Sequence, residues 1–224
     1  MLVIPRVKLS RKRHIPIFYI AGTPAAFLDH EWYPHQIMGL ISKLIESTHW
    51  KRIDSKYFEY KPFHMKLHLN YLGMMDEWHR IWNKYYSLLP VRDKVVLDVG
   101  AGCGETACFF LKRSARKIIC VEPNPAAVAC LRENVSRNNW NVQILEEPFS
   151  LEMLNTLQFD CMKMDCEGCE SALLDYDKPL PPSIIELHSN ELLTQFKAKF
   201  LARYLANVNE NTSVSLVAIA INPL

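Results

Sequence analysis

The stretch VVLDVGAGCGET, residues Val95 to Thr106, decides the fold of this chain. An apolar and mostly β-branched run contains Asp98 near its end, and three glycines follow at alternate positions, Gly100, Gly102 and Gly104. Glycine is needed where a tight turn demands unusual backbone angles and where a ligand approaches the main chain. The next segment, if helical, presents free N–H groups and a positive dipole end to the turn. The stretch therefore predicts a strand, a turn and a helix that bind a nucleotide-like cofactor.

The chain after this stretch alternates between strand-like and helix-like segments. Strands are expected at 95–99, 117–121, 142–145, 159–164, 183–187 and 213–221, with helices near 105–112, 125–137, 151–157, 170–174 and 191–206. This alternation predicts right-handed β–α–β units and a Rossmann-like, doubly wound, mostly parallel α/β sheet covered by helices on both faces. Only one strand is expected after the last helix.

Residues 1–90 lack this alternation. Apolar residues at helical spacing over 34–47 and over 73–89 predict two amphipathic helices, while the irregular pattern over 50–72 favours short strands or turns. We therefore expect two domains. An N-terminal, mostly helical cap at 1–90 would select the substrate, and a cofactor-binding domain would occupy 91–224.

The composition is that of an ordinary globular protein with two differently charged parts. Residues 1–94 carry 15 basic and 8 acidic side chains, whereas residues 95–224 carry 11 and 16. The seven cysteines are an odd number, and several lie in expected core strands. They predict reduced thiols, no disulfide framework and a cytoplasmic location. Proline and glycine interrupt the apolar run at 15–28, so we expect neither a signal peptide nor a membrane span.

Acidic residues stand at the predicted carboxyl ends of the strands, where open parallel sheets bind their ligands. Glu122 ends the second strand, at a distance from the glycines that suits an acid accepting hydrogen bonds from ribose hydroxyls. Glu146 and Glu147 follow the third strand, and either one of them contacts an adenine amino group or both are solvated. Glu122 is therefore the stronger candidate for a cofactor contact.

The densest group of charges follows the fourth and fifth expected strands. The fourth strand ends in Lys163, Asp165, Glu167 and Glu170 around Gly168, and the fifth ends in Glu186 and His188. A carboxylate such as Glu186 inside an apolar strand costs several kcal/mol unless it is paired, so it needs a partner or a ligand. We expect this group to carry the chemistry.

Two further patterns suggest metal or redox chemistry only weakly. Cys166 and Cys169 have Cys-x-x-Cys spacing, but no second pair exists to complete a tetrahedral zinc site, and we expect neither zinc nor a redox dithiol there. His64 and His68 stand four residues apart with no obvious acidic ligand. They are more typical of structural histidines than of a metal site.

These residues carry a resemblance to a known family. VLDVGAGCGET resembles motif I of the class I S-adenosylmethionine-dependent methyltransferases, and its GxGxG spacing departs from the GxGxxG of nicotinamide dehydrogenases. FDCMKMDCEGCE, at Phe159 to Glu170, is similar to the KxDxEGxE signature of the FkbM-type methyltransferases, and IIELH, at Ile184 to His188, resembles their fifth strand. The resemblance covers about 93–188. It implies an enzyme that binds S-adenosyl-L-methionine and methylates a hydroxyl on a sugar or a small natural-product-like acceptor.

The resemblance also implies a role for each matched residue. Gly100, Gly102 and Gly104 would shape the turn under the methionine part of the cofactor, Asp98 would orient that turn, and Glu122 would hold the ribose. Lys163, Asp165, Glu167, Glu186 and His188 would lie where the methyl group meets the acceptor. In the mechanism that we expect, Lys163 neutralises Asp165 or Glu167.

The base that takes the hydroxyl proton would be Asp165, Glu167 or His188. We favour His188 because its ordinary pKa lies closest to neutral pH; neighbouring acids would raise that pKa and burial would lower it. In an alternative arrangement, Asp165, Glu186 and His188 ligate a divalent ion that acidifies the hydroxyl.

Three other functions compete with this interpretation. Interleaved aromatic and basic residues in the N-terminal part favour an RNA methyltransferase, although the fourth strand lacks the Asn-Pro-Pro-aromatic signature of amino-group methylases. A non-catalytic binding module with a methyltransferase fold and a nicotinamide oxidoreductase are the others. The sequence does not identify the acceptor.

Overall fold

The structure is a computed structural model that describes residues 50–54, 56–68, 78–208 and 213–221. The chain divides into two units, Met1–Gly73 and Met74–Leu224, and each is described by itself. The helix expected over 34–47 lies outside the described residues. Within the described ranges, no helix is long and apolar enough to cross a membrane.

The described part of the first unit is a three-stranded antiparallel sheet. Strand β1 (Trp50–Arg52) pairs with β2 (Tyr57–Tyr60), and β2 pairs with β3 (Met65–His68). Phe58 and Leu67 are opposite each other and fully buried, and their neighbours along each strand are more exposed. Short strands were favoured here by the irregular pattern, and strands are what these residues form.

The second unit is built on a seven-stranded sheet. Its strands are β4 (Val95–Val99), β5 (Lys117–Val121), β6 (Val142–Leu145), β7 (Cys161–Met164), β8 (Ser183–Leu187), β9 (Arg203–Asn207) and β10 (Ser215–Ile219). Their order is β6-β5-β4-β7-β8-β10-β9. The first five pair in parallel, and β10 is antiparallel to both of its neighbours. The strand order reverses at β4, so the carboxyl end of β4 lies where open sheets bind ligands.

Helices connect the parallel strands as the alternation predicted. They are α1 (Glu105–Lys112), α2 (Pro125–Asn138), α3 (Met153–Thr156) and α4 (Asn190–Phe200), with a 3₁₀ helix at Cys169–Asp175. The side chain of Asn124 accepts hydrogen bonds from the first N–H groups of α2, and the Ser189 hydroxyl does the same for α4. Strands β4, β7 and β8 carry much of the buried apolar core.

The helix expected over 73–89 takes a different form where it is described. Trp78–Trp82 form a π-helical turn and Tyr86–Leu88 a 3₁₀ turn, both within the second unit. The Trp82 ring stacks on the Tyr86 ring at 5.7 Å, and Trp78 meets Phe109 of α1 edge to face. These aromatic contacts hold the segment against α1.

The prediction of a single strand after the last helix was wrong. Helix α4 ends at Phe200, the next residue, Leu201, has a positive φ of 50°, and β9 follows within the region predicted as helix. Strand β9 forms because its backbone pairs with β10. The spacing of apolar residues along one segment does not show that two separate segments will pair. The sheet therefore ends in a complete antiparallel strand pair.

Candidate active site

The glycine-rich turn after β4 lies directly against the loop after β7. Gly100, Gly102 and Gly104 have positive φ values of 74°, 55° and 95°. A Cβ on Gly100 would lie 1.7 Å from the carbonyl oxygen of Asp165, and one on Gly104 would lie 2.7 Å from the Leu131 side chain. A side chain at Gly100 would therefore separate the two loops that border the switch point of the sheet.

Glu122 is fixed beside this turn by backbone N–H groups. One carboxylate oxygen accepts a hydrogen bond from the Gly102 N–H at 2.9 Å, and the other accepts one from the Asn124 N–H at 2.9 Å. The side chain lies at the end of β5 and is buried. Each oxygen keeps a further lone pair, so the carboxylate can still accept from ribose hydroxyls.

A buried ion pair lies beneath the turn. The Lys163 Nζ is 3.3 Å from Oδ1 of Asp98, and the two side chains are 2% and 0% exposed. The other Asp98 oxygen accepts a hydrogen bond from the Thr106 hydroxyl at 2.6 Å. The Lys163 ammonium also donates to the carbonyl oxygens of Gly100, at 2.8 Å, and Val99, at 3.3 Å. The ion pair therefore joins β4, β7 and the start of α1 under the glycines.

Asp98 and Lys163 each stabilise the ionised form of the other. Burial raises the pKa of Asp98, and the ammonium of Lys163 acts against that rise. Burial alone would lower the pKa of Lys163, but the charges of Asp98 and Asp165 raise it overall. The sequence placed Lys163 at the acceptor as the counter-charge of Asp165 or Glu167. In the structure its ion pair is with Asp98, and Asp165 contributes only a more distant attraction.

Glu105, the first residue of α1, is a second buried acid near the turn. Its side chain is 3% exposed, and its Oε1 has no hydrogen-bond partner. Burial raises the pKa of Glu105 to about 8, so the carboxyl is protonated at neutral pH. The sequence analysis missed this residue, because an acid in the first turn of a helix is usually explained by the helix dipole.

His188 is at the centre of a group of carboxylates, which we call the acid–histidine cluster. Its members besides His188 are Asp165, Glu167, Glu170 and Glu186. The Nδ1 atom of His188 lies 2.5 Å from Glu170 Oε1. Its Nε2 atom lies 3.4 Å from Glu167, 3.7 Å from Glu186 and 3.9 Å from Asp165. The structure thus brings together four of the residues that the sequence placed at the acceptor, and Lys163 lies beneath them.

The hydrogen bond to Glu170 controls the protonation of His188. It raises the pKa of His188, with a smaller opposing effect of burial. Burial alone would raise the pKa of Glu170, but the hydrogen bond from His188 lowers it overall. Glu170 is therefore the ionised acceptor for Nδ1–H, and Nε2 faces the three other acids. The sequence left the direction of the His188 shift open.

Glu170 belonged to the predicted group of charges after the fourth strand, but the sequence analysis assigned it no role at the site. It is fully buried and ends the Glu-Gly-x-Glu segment of the KxDxEGxE pattern. The signal that could have identified it is the spacing itself, because the 3₁₀ helix that begins at Cys169 turns Glu170 back towards the end of β8.

The expectation of reduced cysteines throughout was wrong for one pair. Cys166 and Cys169 form a disulfide across the loop after β7, with their Cα atoms 5.6 Å apart. The tight backbone brings them together, since Glu167 and Gly168 between them have positive φ values of 57° and 123°. The other five cysteines are buried and form no disulfide, as expected.

Two predicted cofactor contacts lie apart from the acid–histidine cluster. Glu146 forms a surface ion pair with Arg132 at 2.8 Å, and Glu147 is exposed. Both directly follow β6, whose last residue, Leu145, accepts a hydrogen bond from the Glu122 N–H. A contact of either acid with adenine therefore stays a prediction.

The residues of the alternative metal arrangement do come together. One ligand atom each from Asp165, Glu186 and His188 lie within 4.8 Å of one another. Exposed and half-buried acids form such groups without an ion, so a divalent-ion role also stays a hypothesis.

The sequence comparisons match the part of the chain that carries the glycine-rich turn. A family model described as the methyltransferase small domain matches residues 85–162. The uncharacterized protein 158B of Sulfolobus islandicus rod-shaped virus 1 is 32% identical over 100 residues, which are 43% of this chain and 63% of that protein. A Methanocaldococcus jannaschii protein, provisionally named a protein N5-glutamine methyltransferase, is 38% identical over 60 residues, 27% of this chain and 30% of that protein.

The structural comparison supports the fold. The crystal structure of a dimethyladenosine transferase from Plasmodium falciparum superposes with a TM-score of 0.51 at 14% identity, covering 62% of this chain and 60% of that one. At this identity the likeness shows the fold alone. The chain spans 63% and 30% of the lengths of the two curated relatives, so their activities describe those proteins and not this one.

Proposed function

We propose that this chain, which has the fold of the class I S-adenosylmethionine-dependent methyltransferases, is an S-adenosyl-L-methionine-dependent methyltransferase that acts on a hydroxyl group. The observation that carries the proposal is the contact between the Gly100 turn and Asp165, which sets the acid–histidine cluster beside the cofactor turn. The narrower FkbM-type resemblance rests on the motif at Phe159 to Glu170. It remains a hypothesis about the subfamily.

The residues around the turn fit this cofactor. Three glycines with positive φ expose the backbone at the N-terminal end of α1, where N–H groups suit a carboxylate such as that of methionine. Glu122 is held where it can accept from ribose hydroxyls, and the buried pair of Asp98 and Lys163 stabilises the turn from below. When bound, the cofactor supplies a methyl group on a positively charged sulfonium.

The acid–histidine cluster favours a cationic ligand at this edge. Four carboxylates surround one imidazole, and Lys163 is already paired with Asp98. The surplus negative charge attracts a sulfonium, and partial burial strengthens that attraction relative to water. The cluster can therefore contribute to cofactor binding as well as to the chemistry.

Within the cluster, His188 is the proposed base. Its Nδ1–H is held by Glu170, so the ring is oriented and Nε2 is the atom that can accept a proton. Nε2 would take the hydroxyl proton of the acceptor, and the nearby carboxylates would stabilise the imidazolium that forms. The pKa of His188 is raised, so the neutral imidazole needed for this step predominates only at a higher pH than for an ordinary histidine.

We further propose a sugar or a similar small polyol as the acceptor. The support is the residue chemistry alone, since carboxylates and an imidazole suit a hydroxyl nucleophile and its neighbouring hydroxyls. The names of the similar proteins include a protein methyltransferase and a dimethyladenosine transferase, so a peptide and an RNA belong in the same acceptor screen. The N-terminal residues expected to choose the acceptor lie mostly outside the described ranges.

The cofactor is tested by calorimetry with S-adenosylmethionine and S-adenosylhomocysteine. We expect both to bind the unmodified chain, and Glu122→Gln to weaken binding at least tenfold because the ribose loses a charged acceptor. Glu133→Gln, at a surface acid of α2 that pairs with Arg137, is the matched control and should change the affinity far less. An unchanged affinity in Glu122→Gln would remove the ribose role, and no binding of either compound to the unmodified chain would contradict the proposed function.

The chemistry is tested with radiolabelled methyl donor and an acceptor screen of sugars, a peptide and an RNA. We expect transfer to a hydroxyl compound, and a loss of about 10²–10⁴-fold in His188→Ala at unchanged cofactor affinity. Transfer that is abolished by a chelator and restored by magnesium would favour the arrangement in which Asp165, Glu186 and His188 hold a divalent ion. Transfer only to RNA or peptide would replace the proposed acceptor class.

A further inference from the structure

The Cys166–Cys169 disulfide differs from the rest of the cysteines in both exposure and position. All seven cysteines lie in the described residues, and the five outside the disulfide are buried. Burial raises the pKa of the Cys108 and Cys161 thiols to about 12, which keeps them protonated and unreactive. Cys166 and Cys169 are partly exposed. Soluble thiols can therefore reach this pair selectively.

The disulfide closes the middle of the loop that carries three of the acids around His188. The loop is fixed at its start, where the Asp165 N–H donates to the Val99 carbonyl at 3.0 Å, and after it, where Glu170 is fully buried against His188. Between these anchors, Glu167 has a positive φ of 57°, a conformation that persists in a non-glycine residue only when its surroundings impose it. Glu167 lies between the two joined cysteines, so the disulfide is one of the described contacts that impose this conformation.

Glu170 connects the sulfur atoms to His188. One of its oxygens contacts His188 Nδ1, and the other accepts the Gly168 N–H at 2.9 Å and lies 3.3 Å from the Cys166 Sγ. In the disulfide, this sulfur carries no proton. As a thiol it could donate one to the same oxygen and compete with the Gly168 N–H. The oxidation state of Cys166 can thus change the hydrogen bonds of the Glu170 carboxylate, which orients His188.

We propose that Cys166 and Cys169 are a reversible thiol–disulfide modification site whose oxidation state sets the arrangement of the acidic loop around His188. The reductant is a soluble dithiol. Its thiolate attacks one sulfur of the disulfide to form a mixed disulfide, and its second thiolate then displaces the protein sulfur. Two electrons and two protons pass to Cys166 and Cys169, and the reductant leaves as a cyclic disulfide.

The oxidised pair holds Glu167 against Nε2 of His188, and reduction releases it. Glu167 can then leave the left-handed region, and its carboxylate, which is 85% exposed, can move into solvent. Asp165, Glu170 and Glu186 remain as the charged groups facing His188. The effect on methyl transfer rests on the proposed function, but the change in the loop does not.

The test uses the full chain equilibrated in dithiothreitol at graded ratios of its reduced and oxidised forms. Iodoacetamide traps free thiols, and peptide mass spectrometry locates them. Hydrogen exchange reports the Gly168 amide, and the ¹H–¹³C spectrum of the His188 ring, assigned with His188→Gln, is recorded at one fixed pH. Calorimetry with S-adenosylhomocysteine on the oxidised chain reports cofactor binding separately.

We expect alkylation at Cys166 and Cys169 only, and about tenfold faster exchange of the Gly168 amide after reduction, because its hydrogen bond to Glu170 is weakened. The His188 ring signal should shift in the same potential range. The double variant Cys166→Ala/Cys169→Ala has neither the disulfide nor the thiol that would compete for Glu170, so its exchange and ring spectrum should not change across the dithiol series. Cys108→Ala, which alters a buried thiol outside the loop, should respond as the unmodified chain does.

Three results would overturn the proposal. They are a pair that stays oxidised or stays reduced across the whole series, buried cysteines that react in the same range, and superposable exchange and ring spectra in the two forms. If these tests are passed but the chain does not bind S-adenosylhomocysteine, the thiol–disulfide proposal holds and the proposed function is contradicted. A chain that binds S-adenosylhomocysteine while its loop does not respond keeps the proposed function and loses the switch.

Discussion

Replacing Lys163 by Met removes the cation that lies under the glycine-rich turn. The substitution keeps a long apolar side chain in a site that is 2% exposed, so it changes charge and hydrogen bonding more than volume. It leaves the Asp98 carboxylate buried with one hydrogen bond, from Thr106, and it takes the donor from the carbonyl oxygens of Gly100 and Val99.

The expected cost follows from that geometry. Removing one partner of a buried ion pair typically destabilises a protein by about 3–5 kcal/mol, because an uncompensated charge remains. Asp98 limits the cost by taking up a proton, which its raised pKa already favours. We therefore expect Lys163→Met to lower the free energy of unfolding by about 3–5 kcal/mol at neutral pH, and to weaken cofactor binding because the turn loses its support.

Urea denaturation at 25 °C, monitored by fluorescence, measures the loss. The double variant Lys163→Met/Asp98→Asn is the matched comparison, since Asn keeps an oxygen for Thr106 and removes the orphaned charge. Its loss should be clearly smaller than the sum of the two single losses. An acid with a raised folded-state pKa costs stability above its unfolded pKa, so the deficit of Lys163→Met should shrink as pH falls towards 3.8.

Two outcomes would contradict this reasoning. A loss below about 1 kcal/mol in Lys163→Met would mean that the pair is no more valuable than a surface ion pair. Additive losses in the double variant would mean that Asp98 and Lys163 do not stabilise each other.

The remaining predictions concern the two loops and their acids. Gly100→Ala should abolish detectable S-adenosylhomocysteine binding in calorimetry, since its Cβ would lie 1.7 Å from the Asp165 carbonyl; Gly168→Ala, with φ also positive but nothing within 4 Å, is the matched control and should retain binding. Equal effects in the two variants would refute the close approach. In the unmodified chain, the free energy of unfolding should fall as pH rises from 4.5 to about 8, because Glu105 ionises in the unfolded state before it ionises in the folded state. Glu105→Gln should remove this fall, which urea midpoints across the range would show. Parallel profiles of the two chains would mean that Glu105 is not buried as an acid. Glu170→Gln should lower the pKa of His188 in an NMR titration, since the hydrogen bond that raises it loses its charge. In the unmodified chain, the lowered pKa of Glu170 and the raised pKa of His188 together stabilise the fold most between about pH 4.5 and 6.5. This gain is lost as pH falls through the folded-state pKa of Glu170 or rises through that of His188. If the difference in unfolding free energy between the unmodified chain and Glu170→Gln did not change with pH, the pair would not act in this way.

The predicted boundaries were most accurate where the pattern is local. Strands β4, β5, β6 and β8 occupy the predicted residues, because parallel strands with mainly apolar side chains read as short apolar runs bounded by glycine or polar residues. Strand β9 was missed for the opposite reason. Its residues are exposed or partly exposed and carry no strong period, and pairing with β10 is what makes them a strand.

The same contrast divides the candidate site. That Asp165, Glu186 and His188 would meet could be expected, since parallel strands present their carboxyl ends at one edge of the sheet. The partner of Lys163 could not, because β4 and β7 lie side by side only in the folded sheet and the ammonium then reaches Asp98 rather than the acids next to it in sequence.

The sequence by itself determined a Rossmann-like sheet, a glycine turn for a nucleotide-like cofactor and the set of acids and histidine at its edge. Periodicity and glycine placement are local properties, and they are sufficient for that much. Only the tertiary structure decided which charges pair, that Glu170 holds His188, and that Cys166 and Cys169 are joined. Those outcomes depend on distances of a few ångströms between segments, which burial and backbone pairing set after the chain has folded.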